Sequence, residues 1–166
     1  MTLKTLVKIG VEGSGVYAIY YHGSHEAYLP IAESLQNRPV YVGKAVPTGS
    51  RKGGKGLSGS QELQRRLKDH CKSLEQADHL NIQDFGCRYL AIVPIWITLA
   101  ERFLIEHYRP IWNVCVDGFG DHDPGAGRLG MRRPRWDILH SGRQWAKRLK
   151  AEETVEEIIE AIKDLR

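Results

Sequence analysis

The sequence predicts a small α/β domain around a mixed or antiparallel sheet, and three observations carry that expectation. Two short runs rich in β-branched and aromatic residues, each closed by glycine, lie early in the chain. Beyond them, two segments with apolar residues at 3-4 spacing enclose a third apolar run, and the C-terminal part holds only helical periodicity. The order is strand, strand, helix, strand, helix, then a helical C-terminal extension.

Gly15-Val16-Tyr17-Ala18-Ile19-Tyr20-Tyr21, closed by Gly23, reads as the first strand, and Pro39-Val40-Tyr41-Val42-Gly43 as its neighbour. The connection from His22 to Arg38 is long for a hairpin loop, and Ile31-Ala32-Glu33-Ser34-Leu35 is expected to form a helical turn within it. Val46 to Ser60 is Gly/Ser-rich and basic through Arg51, Lys52 and Lys55, the pattern of an exposed loop. From about Ser60, an N-cap, a helix runs to Gln76 with Leu63, Leu67, His70 or Cys71, and Leu74 on one face. Phe85 to Val93 reads as a mostly buried strand. Pro94 opens a helix that reaches about Tyr108, where Pro110 stops it. Asp117 through Gly127 is loop; Ser141–Lys150, with Trp145, and Thr154–Leu165 read as amphipathic helices.

The length of 166 residues fits one domain with a real core, and 42% hydrophobic with 27% charged residues describes a soluble globular chain. No apolar run approaches the roughly 20 residues of a membrane span, and no signal peptide follows Met1, so the expectation is a cytoplasmic protein of a prokaryote. Cys71, Cys87 and Cys115 are odd in number and lack CxxC spacing, which argues against a disulfide framework or a zinc ribbon. The net charge of +4 divides into −4 over residues 151–166 and +8 over the rest, with eight basic side chains and one acid, Asp137, between Arg128 and Lys150. That asymmetry points to a polyanionic partner, or to a solvated basic face without one.

Chemistry enters on the two central helices. In the helix from Pro94, Ile97, Ala100, Leu104 and Tyr108 share a face with Glu101, whereas Arg102, Glu106 and Arg109 lie elsewhere. A carboxylate interrupting an apolar stripe is costly unless paired or coordinated, so Glu101 is a candidate metal ligand, catalytic group or internal ion-pair partner. In the preceding helix, Arg66 and His70 lie four residues apart beside the leucine stripe and can face one pocket. Arginine there suits a phosphate oxygen, and histidine can relay a proton near neutral pH.

Gly15-Val16-Tyr17, followed by Tyr41-Val42-Gly43-Lys44-Ala45, resembles the paired signature of the GIY-YIG nuclease superfamily, with valine replacing isoleucine in both halves. Arginine on the first helix, glutamate on the second and the asparagine of Pro110-Ile111-Trp112-Asn113 follow in the same order. The likeness narrows to the small type II restriction endonucleases that cut the palindrome CCGCGG. It rests on Arg66 through His70, Val116-Asp117-Gly118-Phe119-Gly120, Pro124-Gly125-Ala126-Gly127-Arg128 and Gly142-Arg143-Gln144-Trp145-Ala146. This resemblance implies a three-stranded, mainly antiparallel sheet flanked by helices, in one unit over 1–166. The catalytic core would span about 13–115 and the DNA-binding loops and helical extension about 116–166.

The implied activity is Mg²⁺-dependent hydrolysis of double-stranded DNA, with Glu101 holding one metal, because a single inward glutamate suits one ion better than two. Tyr17 would be the general base, Tyr41 a hydrogen-bonding partner of water or phosphate, and Arg66 the group that stabilises transition-state charge. His70 would serve the proton relay and Asn113 would orient the metal site or phosphate. Only about 0.1% of a free phenol is ionised at pH 7, so Tyr17 needs nearby positive charge or His70. Lys44 is either a phosphate contact or a helper in the proton network. Arg51, Lys52, Lys55, Arg128, Arg132, Arg133 and Arg135 form the pool of DNA-binding residues, most of them for phosphate. A palindromic target implies a homodimer, and a cognate DNA methyltransferase encoded nearby would protect the host without touching this protein. The same residues also suit a nicking, repair or homing nuclease, or a DNA-binding relative that has lost catalysis.

Overall fold

The computed structural model describes residues 1–31, 38–47, 60–123, 125 and 130–165. Its centre is a three-stranded antiparallel sheet of β1 (Gly15–Tyr21), β2 (Tyr41–Ala45) and β3 (Phe85–Ala91), in the order β2-β1-β3. Around it lie α1 (Leu3–Ile9), α2 (Glu62–Gln76), α3 (Pro94–Tyr108), α4 (Ile111–Val114), α5 (Arg135–Leu139) and α6 (Val155–Lys163). This is the small α/β arrangement with a C-terminal helix that the residue pattern and the resemblance lead one to expect. No helix among the described residues is long and apolar enough to cross a membrane.

The helix ends follow from local chemistry. Thr2 caps α1 by accepting from the Thr5 amide, and Thr154 and Glu157 form a reciprocal capping box at α6. Pro94 occupies the first turn of α3, where its missing N–H costs nothing. That helix ends with Arg109 in the left-handed region at φ 46°, and Pro110 prevents continuation. Helix α2 starts at Glu62, and the Ser60 hydroxyl stands 3.5 Å from its amide.

One sheet face carries Tyr17, Ile19 and Tyr21 into the main core, where Leu63, Leu67 and Leu74 of α2 are fully buried. Each such leucine contributes about 1.5–3 kcal/mol through removal from water. Trp112, Phe119, Trp136, Ile158 and Ile162 extend this core under the C-terminal segments. Inside it, the Trp112 indole donates to the Tyr28 hydroxyl at 2.7 Å, and that hydroxyl bonds His140. The opposite sheet face is covered by α3 across β1 and β2, with Ile97 fully buried.

Three expectations are corrected. Strand β3 is buried only at Phe85 and Cys87, and Arg88 to Ala91 are exposed, because α3 packs over β1 and β2 and stops short of this edge. Ser141–Lys150 is no helix: it runs irregularly to one short 3-10 turn at Ala146–Arg148, because Gly142 takes a φ of 144° and the Arg143 side chain turns inward. The second strand begins at Tyr41 instead of Pro39 and extends to Ala45. Most of the helical turn expected at 31–35 and of the basic loop from 46 to 60 lies outside the described residues.

Candidate active site

Strands β1 and β2 place the two tyrosines on one face. Tyr17 stands opposite Gly43 and Ile19 opposite Tyr41, so both side chains project towards α2 from adjacent strands, with ring centroids 6.3 Å apart. Glycine at 43 is required by packing: a Cβ there would lie 2.5 Å from the Tyr17 hydroxyl. On α2, the leucine stripe turns His70 into the same space. His70 is 1% exposed, its Nε2 lies 2.6 Å from Tyr17 Oη, and its ring meets Tyr41 edge-on at 5.2 Å.

Burial sets the protonation of this cluster. It drives the Tyr17 phenol upward, a shift to which Tyr41 adds and which Arg66 opposes. Burial also lowers His70 well below its ordinary value, reinforced by the charge of Arg66. Near neutral pH, Tyr17 therefore keeps its proton and His70 is a neutral imidazole.

Arg66, one turn before His70, donates to Nε2 of His122 at 2.9 Å. Tyr41, Arg66 and Gly120 close around one point: a Cβ on Gly120 would stand 2.8 Å from the Tyr41 hydroxyl and 3.5 Å from Arg66. Phe119 stacks on His70 at 4.5 Å and 15°. The loop 118–121 that delivers Phe119 is held by Arg143, which is 2% exposed and donates to the carbonyls of Gly118 at 2.8 Å and Asp121 at 3.0 Å. Its guanidinium also pairs bidentately with buried Asp137 and lies between the rings of Trp136 and Trp145, 4.5 and 4.8 Å from their centroids. His122 and Arg143 are the residues that reading the sequence for chemistry passes over. Arg143 sits in a run of cations, and only the solitary Asp137 six residues earlier hints at its partner.

Alternation along β2 sends Lys44 to the α3 side, where its ammonium lies 2.7 Å from the Glu101 carboxylate. Glu101 is thus an ion-pair partner whose side chain is 17% exposed. Its charge nevertheless reaches the tyrosine cluster, since burial, offset by Arg66 and increased by Glu101, raises the Tyr41 phenol. The two faces meet at the β2 edge. Asn113 on α4 closes that edge: its Oδ1 accepts from the Val42 amide and its Nδ2 donates to the Val42 carbonyl, both at 2.8 Å. Among the described residues no further strand pairs with that edge, and the side-chain amide takes the place of one.

A family model described as the Eco29kI GIY-YIG domain matches residues 10–165. The chain belongs to the GIY-YIG nuclease family. A comparison with curated proteins gives no match.

GIY-YIG nucleases generally depend on a divalent metal, and the donor set here fits one. Glu101 supplies a hard carboxylate oxygen at a partly open edge, the kind of single protein ligand that suits an ion retaining waters and taking phosphate oxygens. Among the described residues no group of three or more His, Cys, Asp or Glu side chains converges to form a fuller cage. Of the basic residues considered for DNA in this GIY-YIG chain, Arg51, Lys52, Lys55 and Arg128 lie outside the described residues. Lys44, paired with Glu101, and the other three have partners within the fold. Arg132 stands 3.5 Å from Asp117; Arg133 donates to the carbonyls of Ala146 and Lys147; Arg135 pairs with Glu153 and donates to the Cys115 carbonyl. Arg148 in the same run pairs with Asp123 at 2.9 Å. Much of the local positive charge is therefore matched internally.

Proposed function

We propose that this GIY-YIG nuclease is a type II restriction endonuclease, hydrolysing double-stranded DNA at a palindromic GC-rich site, with CCGCGG the first sequence to test. The observation that carries the reading is the convergence of Tyr17, His70, Tyr41 and Arg66 on one face of β2 with Glu101 on the other. The likeness to a domain named for Eco29kI supports the restriction class.

The protein's own groups suggest how the proton moves. Because burial keeps Tyr17 protonated, the phenol acts as a relay rather than as a standing phenolate. Its oxygen takes the proton of the attacking water while its O–H passes to unprotonated Nε2 of His70, 2.6 Å away. The water oxygen then bonds phosphorus as the P–O bond to the leaving sugar oxygen breaks, with charge on the phosphoryl oxygens met by Arg66. Tyr41 orients water or phosphate at the cleft. Glu101 would hold Mg²⁺, which when bound would supply Lewis-acid stabilisation of the phosphate. Lys44 holds Glu101 in place and is available to phosphate when that carboxylate takes the metal. Asn113 positions β2, and with it Tyr41, through Val42.

Residues 1–166 act as one unit in this reading, which places the protein in a prokaryotic cytoplasm. It acts as a homodimer on two-fold symmetric DNA, and a cognate methyltransferase protects the host site. DNA-binding candidates remain Lys44, Arg51, Lys52, Lys55, Arg128, Arg132, Arg133 and Arg135. The test is incubation with plasmid DNA and Mg²⁺ followed by mapping of the ends. Discrete double-strand ends at one GC-rich palindrome, absent with Glu101→Ala, are expected. Nicks confined to lesions, or binding without cleavage that Glu101→Ala leaves unchanged, would overturn the proposal.

A further inference from the structure

Helix α3 is apolar on two sides. Its inner side meets the sheet through Ile97. Its outer side presents Ile95, Trp96, Leu99 and Phe103, which are 80, 57, 60 and 64% exposed. Four residues before the helix, Leu90 of β3 is 58% exposed on the part of the sheet that α3 leaves uncovered, in register with buried Val16. Val93, which joins the two elements, is exposed as well. Taking about 150–250 Å² for each large side chain, these residues expose on the order of 500–900 Å² of apolar surface. A typical monomer's largest patch is about 300–600 Å², and a standard interface buries about 800 Å² per partner once its polar rim is included.

We propose that this face, from Leu90 to Phe103, is a two-fold interface with a second copy of the same chain. The apolar area alone approaches what a stable pair needs. The rim carries both signs, Arg88 and Arg102 with Glu106, so it can complement itself, whereas a nucleic acid would require cations in place of the apolar centre. With the axis at Leu99 and the two helices antiparallel, Phe103 meets Ile95 of the partner subunit and Arg102 reaches Trp96 of the partner subunit, a cation–π pair. The inner side of the same helix carries Glu101, so pairing through the outer side would fix the spacing of two active sites. That consequence rests on the proposed cleavage; the interface itself does not.

The test is sedimentation equilibrium of the full chain without DNA or metal. A dimer is expected, with Leu99→Glu and Phe103→Glu each raising its dissociation constant roughly 30-fold or more, the loss typical of a central contact, while the circular dichroism spectrum stays that of the folded chain. Should a variant fail to fold, hydrogen exchange of the wild-type chain at low and high concentration reads the same face. Protection that rises with concentration over residues 88–106 supports the proposal. A wild-type monomer at every soluble concentration, a dimer that both variants retain, or concentration-dependent protection confined to other elements would overturn it. None of these readings depends on whether the protein cuts DNA.

Discussion

At the scale of single residues, the site is defined by groups whose protonation is dictated by burial. Tyr17 and His70 share a short contact and are both almost fully buried, so the phenol stays neutral and the imidazole uncharged. Tyr17→Phe and His70→Ala should each lower the single-turnover cleavage rate by about 100-fold or more, in the range of lost general acid–base catalysis, while leaving DNA affinity nearly unchanged by filter binding or anisotropy. The histidine also has a stability consequence. Its folded pKa lies below the unfolded value of about 6.5, as does that of buried His140. The unfolded chain therefore binds more protons on acidification, and stability falls as pH drops below about 6.5 towards the folded values. Urea midpoints measured from pH 7 to 5 should fall, with a shallower slope in His70→Gln. Lys44 gives a separate prediction: Lys44→Met removes the ammonium that competes for Glu101, so the Mg²⁺ concentration for half-maximal thermal stabilisation should decrease.

At the scale of elements, two short devices hold the catalytic pieces in register. Asn113 serves both backbone groups of Val42 at the exposed edge of β2, and at about 0.5–1.5 kcal/mol per hydrogen bond, Asn113→Ala should cost roughly 1–3 kcal/mol by denaturant unfolding. Asn113→Asp should be no better, since a carboxylate cannot donate to the Val42 carbonyl. Arg143 clamps the 118–121 loop that stacks Phe119 on His70. Arg143→Ala would strand Asp137 as a buried unpaired charge and should cost about 3–5 kcal/mol. Arg143→Lys keeps the charge but loses the fork, the loop carbonyls and the stacking between Trp136 and Trp145. It should fold with lower stability and cleave more slowly, which chevron and single-turnover measurements would separate.

For the whole molecule, the uneven coating of the sheet is decisive. One face supports the main core under α1, α2 and the C-terminal segments, while on the other α3 is the one covering helix among the described residues, and its outer side and the end of β3 are exposed. If that surface joins two copies, the monomeric variant Leu99→Glu should convert double-strand cleavage of a supercoiled plasmid into accumulation of the nicked circle, because one site at a time is then engaged. The basic run reads differently at this scale as well. Arg132, Arg133, Arg135, Arg143 and Arg148 all have partners inside the fold, so the run offers a polyanion fewer free cations than its eight basic side chains suggest.

The order of the strands and central helices was legible in the chain because their causes are local: β-branched and aromatic runs ended by glycine, leucines at 3-4 spacing, prolines on either side of α3. So was the family, since its two half-motifs and the later arginine, glutamate and asparagine occur in one order. Periodicity could also mark Glu101 as a polar break in an apolar stripe, though not that Lys44 answers it across a strand edge. It counted Phe85–Val93 as buried, because an apolar run looks the same whether or not a helix covers it. Only the tertiary structure decided which arginines turn inward, which amide closes β2 and which side of α3 remains unpaired. Those outcomes depend on contacts between residues far apart in sequence, where the nearest charge or cavity is set by packing.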